Sequence, residues 1–315
     1  MHWRIGVDEN GLGPQLGPLV VTAVLARLSD AATHRMDRDP SLLMHERLAD
    51  SKQLVAHDDI AIGEAWARAM VCKMTGRRPS CRDDVLDALA LRPKSDLRRW
   101  CPPHVEPQCW ARVLPFVASD TALERAEQDL AALGRAGVDV VWARSEIACT
   151  RRLNDALATG RSRLVVDLAA MEELVLAARD HAGDDLLAVC GKVGGMRSYP
   201  SRFGPMGGKL HATLTEDAAI SSYRVAGVGE VRFVRDADAT DPLVALASLI
   251  GKYVREDLMS RVVEHYRIHN PALPNASGYH DPVTDRFIEG TVPYRRALGV
   301  PDTCFLRERR AKAAT

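Results

Sequence analysis

No stretch of this chain approaches the ~20 consecutive apolar residues that a membrane-spanning helix needs. The opening Met1-His2-Trp3-Arg4 runs straight into an apolar strand pattern and lacks the layout of a secretory leader. A disulfide framework is not expected either. The seven cysteines are odd in number and scattered without paired spacing, as suits reduced thiols in the cytoplasm. Excess charge of one sign is missing, since 42 Lys and Arg balance 42 Asp and Glu. That argues against wrapping nucleic acid non-specifically, yet it leaves room for a locally basic groove. There is no internal repeat. What remains, 46% hydrophobic and 27% charged residues over 315 positions, is the composition of an ordinary globular chain, long enough for a substantial core.

The pattern along the chain is that of an α/β domain. Trp3 to Val7 reads as a strand ending at Asp8, and Leu19 to Leu28 as a second, β-branched strand; a short glycine-punctuated loop makes them a hairpin. Asp30 to Pro40 is polar and reads as a loop, while Asp58 to Met70 has helical spacing. Residues 76–115 are irregular and proline-rich, an insertion or lid on the core with one short helix near Asp84 to Leu91. An amphipathic helix is expected over Asp120 to Gly134, a strand over Val138 to Ala143 and a helix over Ser145 to Leu157. Arg163 to His181 keeps a helical period, with Leu164, Leu168, Met171, Leu174, Val175 and Ala178 on one face. A strand over Leu186 to Cys190 leads into a Gly-rich loop at 191–210, the loop character reaching Thr215. Glu230 to Arg235 is a strand. A long helix runs from Asp241 to Val263, with Pro242 in its first turn. Asn270 to Tyr279 reads as a loop and Thr284 to Gly290 as helical, before a charged, frayed tail from Arg307. Strands first and helices interleaved later imply a mixed sheet, in a single domain over 1–315.

The chemistry concentrates at the first strand end. Asp8 and Glu9 are adjacent carboxylates. Strand neighbours normally face opposite ways, but a turn at this point lets both reach one site. Close carboxylates repel unless a cation neutralises them, and Mg²⁺ or Mn²⁺ is the natural partner for oxygen ligands. Other signals are weaker. Cys101, His104 and Cys109 suggest part of a zinc site without a fourth ligand, and read better as a loop with incidental thiols. Gly204 to Lys209 lacks the spacing and the following Ser or Thr of a phosphate loop, and reads equally as a mobile basic segment. Of the scattered histidines only His280, beside Tyr279, invites a test.

Four blocks, in order, resemble the ribonuclease HII family. The run Ile5-Gly6-Val7-Asp8-Glu9-Asn10-Gly11-Leu12-Gly13-Pro14, with Gly17-Pro18-Leu19-Val20-Val21, is similar to its opening strand, Asp-Glu pair and glycine turn. Asp50-Ser51-Lys52-Gln53-Leu54 is similar to its Asp-Ser-Lys-Lys-Leu motif. Asp236-Ala237-Asp238, then Ala247-Ser248-Leu249-Ile250-Gly251-Lys252, resembles the acid and helix of its later block, and Gly278-Tyr279 its substrate-contacting Gly-Tyr. The resemblance implies an RNase H-like α/β fold: a mixed five-stranded sheet flanked by helices, with a C-terminal helical part. It implies a two-metal endoribonuclease acting on an RNA–DNA hybrid or a ribonucleotide-containing DNA duplex, as a cytoplasmic monomer. Asp8, Glu9 and Asp238 would be catalytic and would hold Mg²⁺ or Mn²⁺. Gly11, Leu12 and Gly13 would approach the ribose, whose 2′-hydroxyl marks RNA. Tyr279 would stack on the sugar, and Lys52 and Lys252 would meet phosphates.

The sequence departs from the family at two of these points. Leu12 stands where the family has an arginine between glycines. The family's third acid follows a strand, and two readings are open here. Asp167 looks locally like a strand end; if its neighbours are helical, the acid position falls instead on Gly191, which has no side-chain ligand. Periodicity favours the second, leaving Asp167 an ordinary surface acid. Asp236 would compensate if its strand persists and it faces the side of Asp238. A degenerate member that binds hybrid or structured nucleic acid without cutting it, and a partner-binding protein using residues 76–115, are the alternatives.

Overall fold

A computed structural model of the chain describes residues 1–44, 47–48, 54–103 and 105–308. Lys52, with the rest of residues 49–53, and His104 lie outside the described residues. Seven strands form one mixed sheet: β1 His2–Asn10, β2 Leu19–Leu28, β3 Val138–Ala148, β4 Leu186–Gly191, β5 Leu210–Glu216, β6 Ile220–Val225 and β7 Gly229–Val234. Their order is β3-β2-β1-β4-β7-β6-β5. β1, β2 and β3 are antiparallel neighbours, β4 lies parallel between β1 and β7, and β7, β6 and β5 are again antiparallel.

The mixed α/β class matches the expectation, but the sheet has seven strands rather than five. The additional strands are β5 and β6. β5 is solvent-exposed along nearly its whole length, so it has no buried face to impose an apolar alternation on its sequence. Further boundaries differ for physical reasons. Asp30–Arg38 is a helix (α1), capped by the Ser29 hydroxyl accepting from the Ala32 N–H at 3.2 Å. It buries only Ala32 and Met36, hence its loop-like composition. β3 continues through Ser145 and Glu146 because they pair with Thr22 and Val21.

Helices cover both faces. The remaining helices are α2 Ala61–Thr75, α3 Arg82–Leu89, α4 Lys94–Arg98, α5 Asp120–Arg135, α6 Thr150–Ala158, α7 Arg163–Ala182, α8 Pro242–Arg267, α9 Pro282–Ala297 and α10 Asp302–Phe305. One face carries α8, backed by α2 and α5 through a core that includes Val24, Trp66, Leu130 and Leu246. The other carries α7, whose Leu168, Met171 and Val175 pack on Ile5, Val7 and Ala188. α8 begins with Pro242 after Asp241, whose carboxylate accepts from the Leu243 and Val244 N–H groups. It sits so close to β1 that a Cβ on Gly6 would lie 2.3 Å from Leu243 C and Val244 N. That contact fixes the start of α8 over the strand that carries Asp8.

The segment 76–115, expected to be an insertion or lid, packs on the core through its described residues. Val85, Leu86, Leu89, Leu97 and Trp110 join the main core, and Arg82 is buried between Asp257 (3.0 Å) and Glu64 (3.1 Å). The segment contributes no residue to the lining of the cleft described next. The glycine-rich loop is anchored as well. Glu172 on α7 accepts from Gly204 N–H at 3.1 Å and from Met206 N–H at 2.6 Å, and Tyr199 stacks on Phe233 with ring centroids 3.8 Å apart.

Candidate functional site

The ends of β1 and β4, the turn after β7 and the start of α8 surround a cleft of about 360 Å³. The described residues to which the resemblance gives a role line it: Asp8, Glu9, Gly11, Leu12, Gly13, Asp238, Lys252 and Tyr279. Gly191, Lys192, Asp236 and Ser248 line it too.

Asp8 and Glu9 do not sit in a turn, as the sequence suggested. β1 continues to Asn10, with Asp8 opposite Thr22 and Glu9 opposite Val21. The two carboxylates therefore point to opposite faces of the sheet. Asp8 faces α8, where it is hydrogen-bonded to Ser248. Burial pushes its pKa well above the usual carboxylate range; the Ser248 bond opposes this, while the charges of Glu9 and Asp238 add to it. Glu9, like Ile5 and Val7, faces the α7 side.

On that side lies Asp167. It is inside α7, as the helical period required, but it is not a surface acid. It is 0% exposed, and neither of its carboxylate oxygens has a hydrogen-bond partner. Burial, then the charges of Glu9 and Asp8, push its carboxyl well above the ordinary range. The periodicity argument found the helix and missed the burial. α7 buries residues all round its N-terminal half, Val166, Asp167, Leu168, Ala170 and Met171 among them, so no polar face was available to reveal where an acid points.

Gly191 ends β4. Val7 pairs with Cys190 in parallel register, which sets Gly191 beside Asp8, and a Cβ there would lie 2.8 Å from Asp8 Oδ1. Asp238 occupies a 3-10 turn, Ala237–Ala239, between β7 and α8. Asp236 does not continue the strand. Its φ of 52° is the one left-handed non-glycine value among the described residues, and its side chain, 81% exposed, lies 3.6 Å from Arg235. It lines the cleft without joining the buried carboxylates.

The glycine turn is held from beneath by arginines. Arg307, almost fully buried, donates to Gly11 O at 2.6 Å and to Gly17 O at 2.8 Å. Burial lowers its basicity strongly, and Arg163 and Arg255 lower it further. Arg163 donates to Pro14 O at 3.2 Å. Gly11 has φ +92°, and a Cβ on it would meet Pro18 O at 2.9 Å, so this glycine serves the turn's conformation. A Cβ on Gly13 would meet nothing within 4 Å; that backbone is the open one. Leu12, in the place of an arginine, packs against the small cluster of Leu19, Leu153 and Val166. Tyr279 is 45% exposed and stacks over Arg255 at 4.7 Å. Gly278 O accepts from the Gln15 and Leu16 N–H groups, which joins the tyrosine loop to the glycine turn. Sequence reasoning missed Lys192, whose ammonium donates to Asp217 O at 2.7 Å and Ser221 Oγ at 3.1 Å; nothing in its local sequence marks it.

Cys101 and Cys109 share a second, small pocket with Cys149 and Cys304. All four are free thiols. Among the described residues no group of three or more His, Cys, Asp or Glu is already arranged to hold a metal ion, and no helix is long and apolar enough to cross a membrane.

No protein-family model matches the chain, and no curated protein matches it. Solved structures do. The chain is similar to RNase HII of Archaeoglobus fulgidus, from its complex with PCNA, at 16% identity and TM-score 0.42, over 99% of this chain and 96% of that one. It is similar to a variant of Bst RNase HIII at 14% identity and TM-score 0.46, over 96% of this chain but only 65% of that one. Ribonuclease H2 of Pyrococcus horikoshii is a third, at 15% identity and TM-score 0.38, over 96% of this chain and 92% of that one.

Proposed function

We propose that the chain is a divalent-metal-dependent endoribonuclease that cleaves RNA paired with DNA, in hybrids or at embedded ribonucleotides. The observation that carries this reading is the convergence on one cleft of Asp8, Glu9 and Asp238 with the open backbone of the glycine turn and the half-exposed Tyr279. The motifs supply the same residues in the same order. The donor set fits Mg²⁺ or Mn²⁺. It offers only carboxylate oxygens, and the charges of Glu9 and Asp238 hold the Asp8 pKa up, as happens where carboxylates crowd a site that a cation would neutralise. Asp8, Glu9 and Asp238 would hold the ions. When bound, such ions supply activation of water and stabilisation of the leaving oxygen in phosphodiester hydrolysis.

The rest belongs to the chain. The Gly13 backbone, unshielded by a Cβ, can meet a ribose edge and its 2′-hydroxyl. The Tyr279 ring, fixed by Arg255, offers a stacking face at the cleft mouth. Lys252, on the α8 face that also carries Ser248, is placed for a phosphate, and Lys52 is its expected companion. Action as a cytoplasmic monomer completes the reading.

The test is cleavage of a labelled RNA–DNA hybrid with Mg²⁺ or Mn²⁺, with all-DNA and all-RNA duplexes as controls. Hybrid-selective cutting abolished by chelation and by Asp8→Asn is expected. Uncleaved hybrid, bound equally well in chelator, favours the second reading, a family-like protein that binds without cutting. Gly191 and Leu12 are the observations behind that reading.

A further inference from the structure

The acids of the cleft are divided by the sheet. Asp8 lies on the α8 side with Ser248 and near Asp238. The missing carboxylate belongs to that side too, because Gly191 is beside Asp8 and a Cβ on it would nearly touch Asp8 Oδ1. Across the sheet, Glu9 has a companion in Asp167, which the helical period reads as an ordinary surface acid. Asp167 is fully buried, both oxygens lack hydrogen-bond partners, and it feels the charges of Glu9 and Asp8 from the strand on which α7 packs. Its other surroundings are Cys190 and Tyr199, each of which feels its charge, within the apolar cluster under α7. A carboxylate buried in apolar surroundings, beside other carboxylates and with no donor, is among the costliest arrangements a fold can hold. Two things relieve it: a retained proton, or a cation shared with Glu9.

We infer that Asp167 is a metal-ligating residue of this site, holding a divalent cation with Glu9 on the α7 side of the sheet. The ion class rests on the nuclease reading; the binding itself does not. A cation held by Glu9 and a buried Asp167 ties β1 to α7, so its binding stabilises the fold. That stabilisation gives the inference a readout independent of catalysis.

The experiment is Mn²⁺ titration of the full chain by calorimetry, with thermal unfolding in chelator and in Mn²⁺. The variants are Asp167→Asn and Asp167→Ala, the second removing the polar group altogether should the amide fold poorly. Expected are Mn²⁺ affinity weakened at least about tenfold, a melting temperature in chelator at or above that of the unsubstituted chain, and loss of most of the Mn²⁺-induced rise in melting temperature. Mn²⁺ affinity and Mn²⁺-induced stabilisation unchanged in a folded Asp167 variant would overturn the inference and leave Asp167 a buried neutral acid. A chain that binds no Mn²⁺ at millimolar concentration would overturn it equally. Asp167-dependent Mn²⁺ binding without hybrid cleavage would uphold the inference while the nuclease reading fails; cleavage indifferent to Asp167 would do the reverse.

Discussion

Asp8 and Glu9 are neighbours in sequence that answer to different helices, Asp8 to Ser248 on α8 and Glu9 to the face covered by α7. Losing either of two cleft acids, by Asp8→Asn or Asp238→Asn, should therefore lower kcat on a hybrid by at least about a hundredfold, with circular dichroism unchanged. At Gly11 the prediction is structural. The left-handed φ and the 2.9 Å approach to Pro18 O mean that Gly11→Ala should cost about 1–3 kcal/mol, read as a lower melting temperature. At this scale the sequence was legible wherever a motif named a residue. It was not legible at Asp167, because an acid on a helix buried all round carries no periodic sign of its direction. At Asp236, strand alternation misled: β7 ends two residues earlier, at Val234.

Between elements, the β1–α8 contact sets the site. With backbone atoms 2.3 Å from any Cβ on Gly6, Gly6→Ala must push α8 off the sheet. A loss of about 3 kcal/mol or more is expected, measured by denaturant unfolding, together with weaker metal binding as Ser248 moves from Asp8. Further along α8, Glu256 joins His57, 2.6 Å from its carboxylate, to Arg255, which stacks under Tyr279. Burial opposes ionisation of Glu256, but the hydrogen bond from His57 and the charges of Arg255 and His57 outweigh it, so its carboxyl is held below the ordinary value. Its contribution to stability is complete above the unfolded value of about 4.3 and is lost as pH falls through the lower folded value. Acid unfolding of Glu256→Gln, followed by fluorescence between pH 5 and 2, should accordingly be shallower than that of the unsubstituted chain. The long elements α7 and α8 were readable from their period. The edge strand β5 and the helix α1 were not, since exposure leaves a short element without an apolar pattern; nor was β6, whose buried Ser221 and Ser222 break the apolar alternation.

Across the whole molecule, the C-terminal segment returns to the site. Arg307 ties Gly11 and Gly17, Phe305 is buried against Tyr266 and Phe287, and Asn154 on α6 donates to Thr303 O and Leu306 O. Ending the chain after Pro301 should lower the melting temperature by several degrees and raise KM for hybrid more than it lowers kcat, because the turn loosens while the acids on β1 remain. This closure was not legible beforehand: the tail reads as charged and frayed, and only the fold shows that one of its charges, on Arg307, is buried under the turn. The packing of the segment at 76–115, expected to be an insertion or lid, was hidden for the converse reason. Irregular, proline-rich composition says nothing about whether Val85, Leu89 and Trp110 pack into the core.

The central claim is that the cleft reads a ribose within DNA and cuts beside it through Asp8. The most direct measurement is incubation of a DNA duplex carrying one embedded ribonucleotide with Mg²⁺ or Mn²⁺, alongside the Asp8→Asn variant and an all-DNA duplex. The account predicts a single cut on the 5′ side of the ribonucleotide, absent from the all-DNA duplex and lost in Asp8→Asn. A folded, duplex-binding protein that cuts with neither metal, or one whose cutting survives Asp8→Asn, would contradict it.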